Sequence, residues 1–144
     1  MSGVFFDTSA LVPVVTEQLH NHGGAHARFV HEFNAGHQLC CSTHTLAECY
    51  ATLTALPLPR RLSASEAAHL IEVNFVRKMR IVELDAQDYQ AAIRLCADQG
   101  RISGQIYDAL HLTAALKAGC SSLFTYNLTH FRSLRQNQIT ISAP

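Results

Sequence analysis

An α/β fold with a largely parallel sheet is predicted by three features of this sequence. Short apolar runs of strand length alternate with helical runs of roughly ten residues or more, and most runs end at glycine, proline or a helix-capping residue. The hydrophobic content, 48% of 144 residues, supplies one sizeable core and too little for two ordinary domains. Residues 1–144 are therefore read as a single domain.

Val4-Phe5-Phe6 is a β-branched and aromatic run that stops at the polar trio Asp7-Thr8-Ser9, as a buried strand would. Gly23-Gly24 precedes a helical pattern with Ala27, Val30 and Phe33 on one side, closed by Gly36. Gln38 to Ser42 reads as the second strand and runs directly into a helix from Thr43 to Leu56, which Pro57 and Pro59 terminate. Ser63-Ala64-Ser65-Glu66 has capping-box spacing, and Ala67, Leu70, Ile71 and Phe75 then recur at helical intervals.

Arg80 to Leu84 reads as a strand, and Asp85 caps a helix whose Tyr89, Ala92, Ile93 and Cys96 share a face. Gly100 and Gly104 bracket a turn. Gln105 to Ala118 is helical and mostly apolar, with Gly119 where a left-handed C-cap belongs. A strand from Ser122 to Tyr126, a brief helix from Leu128 to Leu134 and an edge strand from Gln138 to Ser142 complete the series.

Lys+Arg and Asp+Glu balance at 11 each, which excludes a global positive field for indiscriminate nucleic-acid binding. The five cysteines form no CxxC pair and sit in apolar runs, so they read as small buried hydrophobes in a reducing compartment. The N-terminus has no basic segment before its first apolar run, and no long apolar stretch follows. A cytoplasmic protein without signal peptide or membrane span is the expectation.

In open α/β sheets ligands bind beyond the carboxyl ends of the strands. Four polar candidates fall near such exits: Asp7 after the first strand, Glu48 early in the helix that leaves the second, Asp108 in the first turns of its helix, and Asn127 after the strand ending at Tyr126. Glu48 and Asp108 are embedded among small or apolar neighbours, where a carboxylate needs either exposure or a compensating cation. Two carboxylates about 4 Å apart repel by roughly 4 kcal/mol at an effective dielectric near 20, and a divalent ion turns that repulsion into attraction. Oxygen-only ligands suit Mg²⁺ or Mn²⁺ better than zinc, and such ions act on phosphates. Each acid taken alone is equally compatible with a cap, a surface charge or a salt bridge.

The string Phe5-Phe6-Asp7-Thr8-Ser9-Ala10-Leu11 resembles the opening motif of the PIN-domain family. Thr45 to Leu53 is similar to its second motif, Ile106 to Leu112 to its third, and Phe124-Thr125-Tyr126-Asn127 with His130-Phe131 to its fourth. Order and spacing agree over essentially the whole chain. The resemblance implies a three-layer sandwich around a mostly parallel sheet of order 3-2-1-4-5, and Mg²⁺- or Mn²⁺-dependent ribonuclease activity that leaves a 5′-phosphate and a 3′-hydroxyl. For small members it implies the VapC-type toxin of a type II toxin–antitoxin pair, with an RNA substrate, a cognate antitoxin and homodimerisation. By position, Asp7, Glu48 and Asp108 become the metal-binding acids, Ser9 and Thr125 supporting hydroxyls, and Asn127 stands where many relatives carry a fourth acid. An amide there removes one negative charge, so one firmly held metal is expected rather than two. It also keeps open an inactive RNA- or protein-binding module as the alternative. A receiver-like phosphoacceptor at Asp7 fits less well, since neither Lys78 nor Lys117 follows a strand exit.

Other residues carry weaker signals. His20, His22 and His26 cluster without an HExxH or CxxC companion and read as an exposed loop and helix start rather than a zinc site. His111 reads as packing or capping at a helix interface, and Tyr50 and Tyr107 as structural rings beside core positions. Of the basic groups, Arg132 and Arg135 follow the strand exit that carries Asn127, which makes them the candidates for contact with the RNA backbone.

Overall fold

Alternate residues of the first strand face opposite cores: Val4 and Phe6 pack into one apolar cluster and Phe5 into another. That double burial is what a parallel sheet covered on both faces requires. The computed structural model describes residues 2–134 and 138–144. Strands β1 (Gly3–Phe6), β2 (Gln38–Ser42), β3 (Arg80–Val82), β4 (Cys120–Phe124) and β5 (Thr140–Ser142) form one sheet of order β3-β2-β1-β4-β5. Every pairing is parallel. Helices α1 (Thr8–Val14), α2 (His22–Asn34), α3 (Thr43–Ala55) and α4 (Ala64–Ile71), the last running on into a π-helical turn Glu72–Val76, pack on one face. Helices α5 (Ala86–Asp98), α6 (Gln105–Lys117) and α7 (Leu128–Arg132) cover the other. The three-layer arrangement and strand order expected from the resemblance are thus observed.

Local chemistry explains most element ends. Ser63 and Glu66 form the expected capping box at α4, Asp85 forms one with Asp88 at α5, and Ser42 with Thr45 adds an unanticipated one at α3. Gly119 closes α6 at φ +70°, a left-handed conformation that glycine adopts without a side-chain clash. All five thiols are free and buried. Cys40 and Cys120 meet over Gly3, where a Cβ would lie 3.2 Å from one sulfur and 3.4 Å from the other. Among the described residues no helix is long and apolar enough to cross a membrane.

Several expectations are corrected. One element was not anticipated: Asp7 is the N-cap of α1, a short buried helix disguised in the sequence by Pro13 and its valines. Gly23 and Gly24 lie inside the first turn of α2 instead of before it. The buried face of α2 is Ala25, Phe29 and Glu32, and not the stripe through Ala27, Val30 and Phe33. Glu32 can sit inward because Arg28 and His37 engage its carboxylate, and Phe33 is left 52% exposed. On α5 only Ala92 and Cys96 are buried, while Tyr89 and Ile93 flank them in solvent, because α5 meets α6 through small residues. β3 stops at Val82, two residues before the expected end, and β4 begins and ends two residues earlier, which puts Thr125 just past its end. β5 is confined to Thr140–Ser142 and α7 to Leu128–Arg132.

Candidate active site

The strand order reverses direction at β1, since β2 and β3 lie on one side of it and β4 and β5 on the other. The crevice beyond the carboxyl ends of β1 and β4 is therefore the topological switch point of the sheet. Asp7 stands there. It follows β1 directly and is 2% exposed, and its Oδ1 accepts hydrogen bonds from Ser9 Oγ at 2.7 Å and Ala10 N at 3.0 Å. Its Oδ2 accepts from Thr125 Oγ1 at 2.6 Å. Thr125 Oγ1 in turn accepts from Asn127 N, and Ser9 Oγ from Tyr126 N, so both supporting hydroxyls lock the β4 exit onto Asp7. Burial pushes the Asp7 carboxyl above its usual range, against the pull of His111 and these donors.

Glu48 reaches the same crevice from α3. Its Oε1 accepts from Thr8 Oγ1 at 3.0 Å and from His111 Nε2 at 2.6 Å, with His44 Nε2 at 3.6 Å. Burial alone would raise its pKa, but these partners, His111 foremost, hold the carboxyl well below the usual carboxylate range. Asp108, in the first turn of α6, has Oδ2 3.2 Å from His130 Nδ1. Burial raises its pKa, His130 and His111 oppose the rise, and the charges of Asp7 and Glu48 add to it. Asp108 thus sits in the field of the other two acids. Asn127, the N-cap of α7, makes no side-chain cap bond and lines a cleft of about 370 Å³ together with Thr8, Ser9, Glu48 and Thr52.

The fit to a divalent ion rests on donor chemistry and charge. Among the described residues the ion-pair partners of Glu48 and Asp108 are histidines, and no lysine or arginine reaches any of the three acids. Glu48 Oε2 and Asp108 Oδ1 accept no hydrogen bond from the described residues. Three carboxylates with no lysine or arginine counter-charge among the described residues are hard oxygen donors that suit Mg²⁺ or Mn²⁺. They do not form a finished cage: among the described residues no three acidic, histidine or cysteine side chains already converge on one point.

Residues that the sequence undervalued complete the site. His111 is buried against Phe5 and Phe131, as a packing residue would be, yet its Nε2 also reaches Glu48. Its place three residues after Asp108, on the same helix face, was the available signal. His44, four residues before Glu48, stacks on Tyr107 with ring centroids 5.1 Å apart. Tyr107 and Tyr50, expected beside the core, are exposed by 48% and 41%. His22 bonds the Pro13 carbonyl and lies beside His26. Arg132 is exposed on α7, and Arg135 lies outside the described residues.

The sequence and the fold are similar to those of known proteins. The ribonuclease VapC27 of Mycobacterium tuberculosis is 32% identical over 109 residues, which span 76% of this chain and 74% of that protein. Among solved structures, the M. tuberculosis toxin VapC20, described as cleaving the sarcin–ricin loop, superposes with a TM-score of 0.72 at 16% identity, covering 91% of this chain and 95% of that one. The Rickettsia felis VapBC2 structure, bound to a fragment of promoter DNA, gives 0.69 at 14% identity and 98% coverage of both chains. The PIN domain family matches residues 4–135, which take in every strand up to β4 and all three acids. With a family match of this extent and a curated relative at 32% identity, the chain belongs to the PIN domain family.

Proposed function

We propose that this chain is a metal-dependent endoribonuclease acting as the toxin of a toxin–antitoxin pair. The observation that carries the reading is that Asp108 lies in the field of Asp7 and Glu48 near the switch point, with no lysine or arginine partner for any of them among the described residues. Asp7, Glu48 and Asp108 would hold one Mg²⁺ or Mn²⁺, which supplies an activated water and neutralises charge on the phosphodiester under attack. Ser9 and Thr125 keep the Asp7 carboxylate in one orientation. Asn127 offers the cleft a neutral amide, and Arg132 supplies a positive charge for the RNA backbone.

The toxin part of the reading is supported by its relatives: VapC20 is described as a toxin, and the VapBC2 and Neisseria gonorrhoeae FitAcB structures share the fold. An antitoxin needs an apolar surface on which to dock. The misjudged face of α2 offers one, since Phe29, Val30 and Phe33 line a groove of about 400 Å³ with Val14, Val15 and Leu70. Homodimerisation belongs to the same proposal.

The test is cleavage of total RNA by purified protein with Mg²⁺ or Mn²⁺ and with chelator. Metal-dependent cleavage that leaves 5′-phosphate ends, and is lost in Asp7→Asn and Asp108→Asn, is the expected result. Undiminished cleavage by both variants overturns the assignment, and a wild-type protein that binds RNA without cutting it favours a binding module.

A further inference from the structure

Behind Glu48 runs a buried chain of hydrogen bonds that begins in the capping box of α3. Ser42 Oγ lies 2.9 Å from Thr45 Oγ1, Thr45 Oγ1 lies 3.3 Å from His111 Nδ1, and His111 Nε2 lies 2.6 Å from Glu48 Oε1. Ser42 and Thr45 are wholly buried and His111 nearly so.

The direction of the chain follows from counting protons. A carboxylate only accepts, so the hydrogen between His111 and Glu48 belongs to Nε2. In the neutral ring Nδ1 is then an acceptor, and the Thr45 hydroxyl is the donor in reach. Thr45 Oγ1 keeps two lone pairs. One takes the backbone N–H of Ser42 at 3.0 Å, and the other takes the Ser42 hydroxyl. Ser42 Oγ is left to accept the Thr45 N–H at 3.1 Å. The side-chain bonds then all point one way, from Ser42 through Thr45 and His111 to Glu48.

Accepting Glu48 as a metal-binding acid, we propose that His111 is its positioning residue, held by Thr45 in the Nε2–H tautomer so that Oε1 is pinned and Oε2 is turned free toward the cleft. Such outer partners of a ligating carboxylate set ligand orientation, and their loss lowers metal affinity by roughly 10 to 100-fold.

The experiment compares wild type, Thr45→Ser, Thr45→Val, His111→Phe and Glu48→Gln. Long-range ¹H–¹⁵N correlation spectra of the metal-free proteins read the His111 tautomer, and titration with Mn²⁺ alone, followed by electron paramagnetic resonance, reads affinity. Expected are a single Nε2–H tautomer in wild type and Thr45→Ser, a mixture in Thr45→Val, and Mn²⁺ affinity lowered about tenfold or more in His111→Phe and by less in Thr45→Val. Thr45→Ser should bind as wild type does, a rescue that overall destabilisation would not give. An Nδ1–H tautomer in wild type, or wild-type Mn²⁺ affinity in His111→Phe, overturns the inference. If His111→Phe does not fold, an unchanged tautomer and unchanged affinity in Thr45→Val have the same force. The two levels separate cleanly. Wild-type Mn²⁺ affinity in Glu48→Gln removes the metal role of Glu48 itself, whereas a weakened Glu48→Gln beside an unaffected His111→Phe removes only the role of His111.

Discussion

Replacing Asp7 with asparagine changes one buried charge while the hydrogen-bond network around it can still close. The amide oxygen keeps the bonds from Ser9 Oγ and Ala10 N, and the amide nitrogen donates to Thr125 Oγ1. Thr125 then turns its proton to Ser9 Oγ, 3.3 Å away. The energetic change is therefore mainly the removed charge. Because burial raises the folded-state pKa of Asp7, the stability linked to this group is fully present below the unfolded carboxyl pKa near 4 and is lost as pH rises through the folded value. At neutral pH and without metal, Asp7→Asn should be at least as stable as wild type, and the difference should shrink toward pH 4. Metal reverses the ranking. A ligand at about 100 times its Kd stabilises by about 2.7 kcal/mol, which for a chain of this size shifts Tm by roughly 10 °C. Thermal melting at pH 7.5 with Mn²⁺ and with chelator should show that rise in wild type and under about 2 °C in the variant. Equal Mn²⁺ shifts in both proteins, or a metal-free variant destabilised by more than about 2 kcal/mol, would refute the reasoning.

Asn127→Asp adds a second carboxylate to the cleft that Glu48 lines. The added like charge repels Glu48, so the metal-free Tm should fall while calorimetry records tighter Mn²⁺ binding or a second equivalent. Phe33→Glu, on the exposed edge of the α2 groove, should weaken antitoxin capture in surface plasmon resonance at least tenfold and leave metal-dependent RNA cleavage at the wild-type rate. Ser63→Ala removes the side-chain cap of α4 and should cost about 1 kcal/mol in urea unfolding, with no effect on Mn²⁺ affinity.

The sheet was legible because its strands obey simple rules: β1 and β2 are short apolar runs closed by a capping residue, and burial on both faces removes the need for alternation. What misled was local chemistry that depends on distant partners. The inward place of Glu32 on α2 is understandable only once Arg28 and His37 are seen around it, and without it the apolar stripe through Val30 and Phe33 looked like the core. Helix α1 forms against weak intrinsic propensity because Asp7 caps it and its apolar residues are buried. At the site, Asp7, Glu48 and Asp108 could be named from their settings near strand exits and helix starts. The histidines could not be assigned, because which acid each one meets is decided by how α3, α6 and α7 pack.

The hydrogen bond from Thr125 to Asp7 joins residues 118 apart in the chain, and this separation bears on how the protein is made. Ribosomes add roughly 5–20 residues per second, so roughly 6 to 24 s pass between the synthesis of the acid and that of the hydroxyl that orients it. Until β4 is made, β1 lacks its neighbour on that side of the sheet. A central strand that must wait for a late partner makes assembly of the pocket a long-range, slow step. Nascent fragments that stop short of β4 hold all three acids but lack the lock on the first, so on the proposed function a cell synthesising this nuclease meets its full activity only after the exit of β4 has been translated.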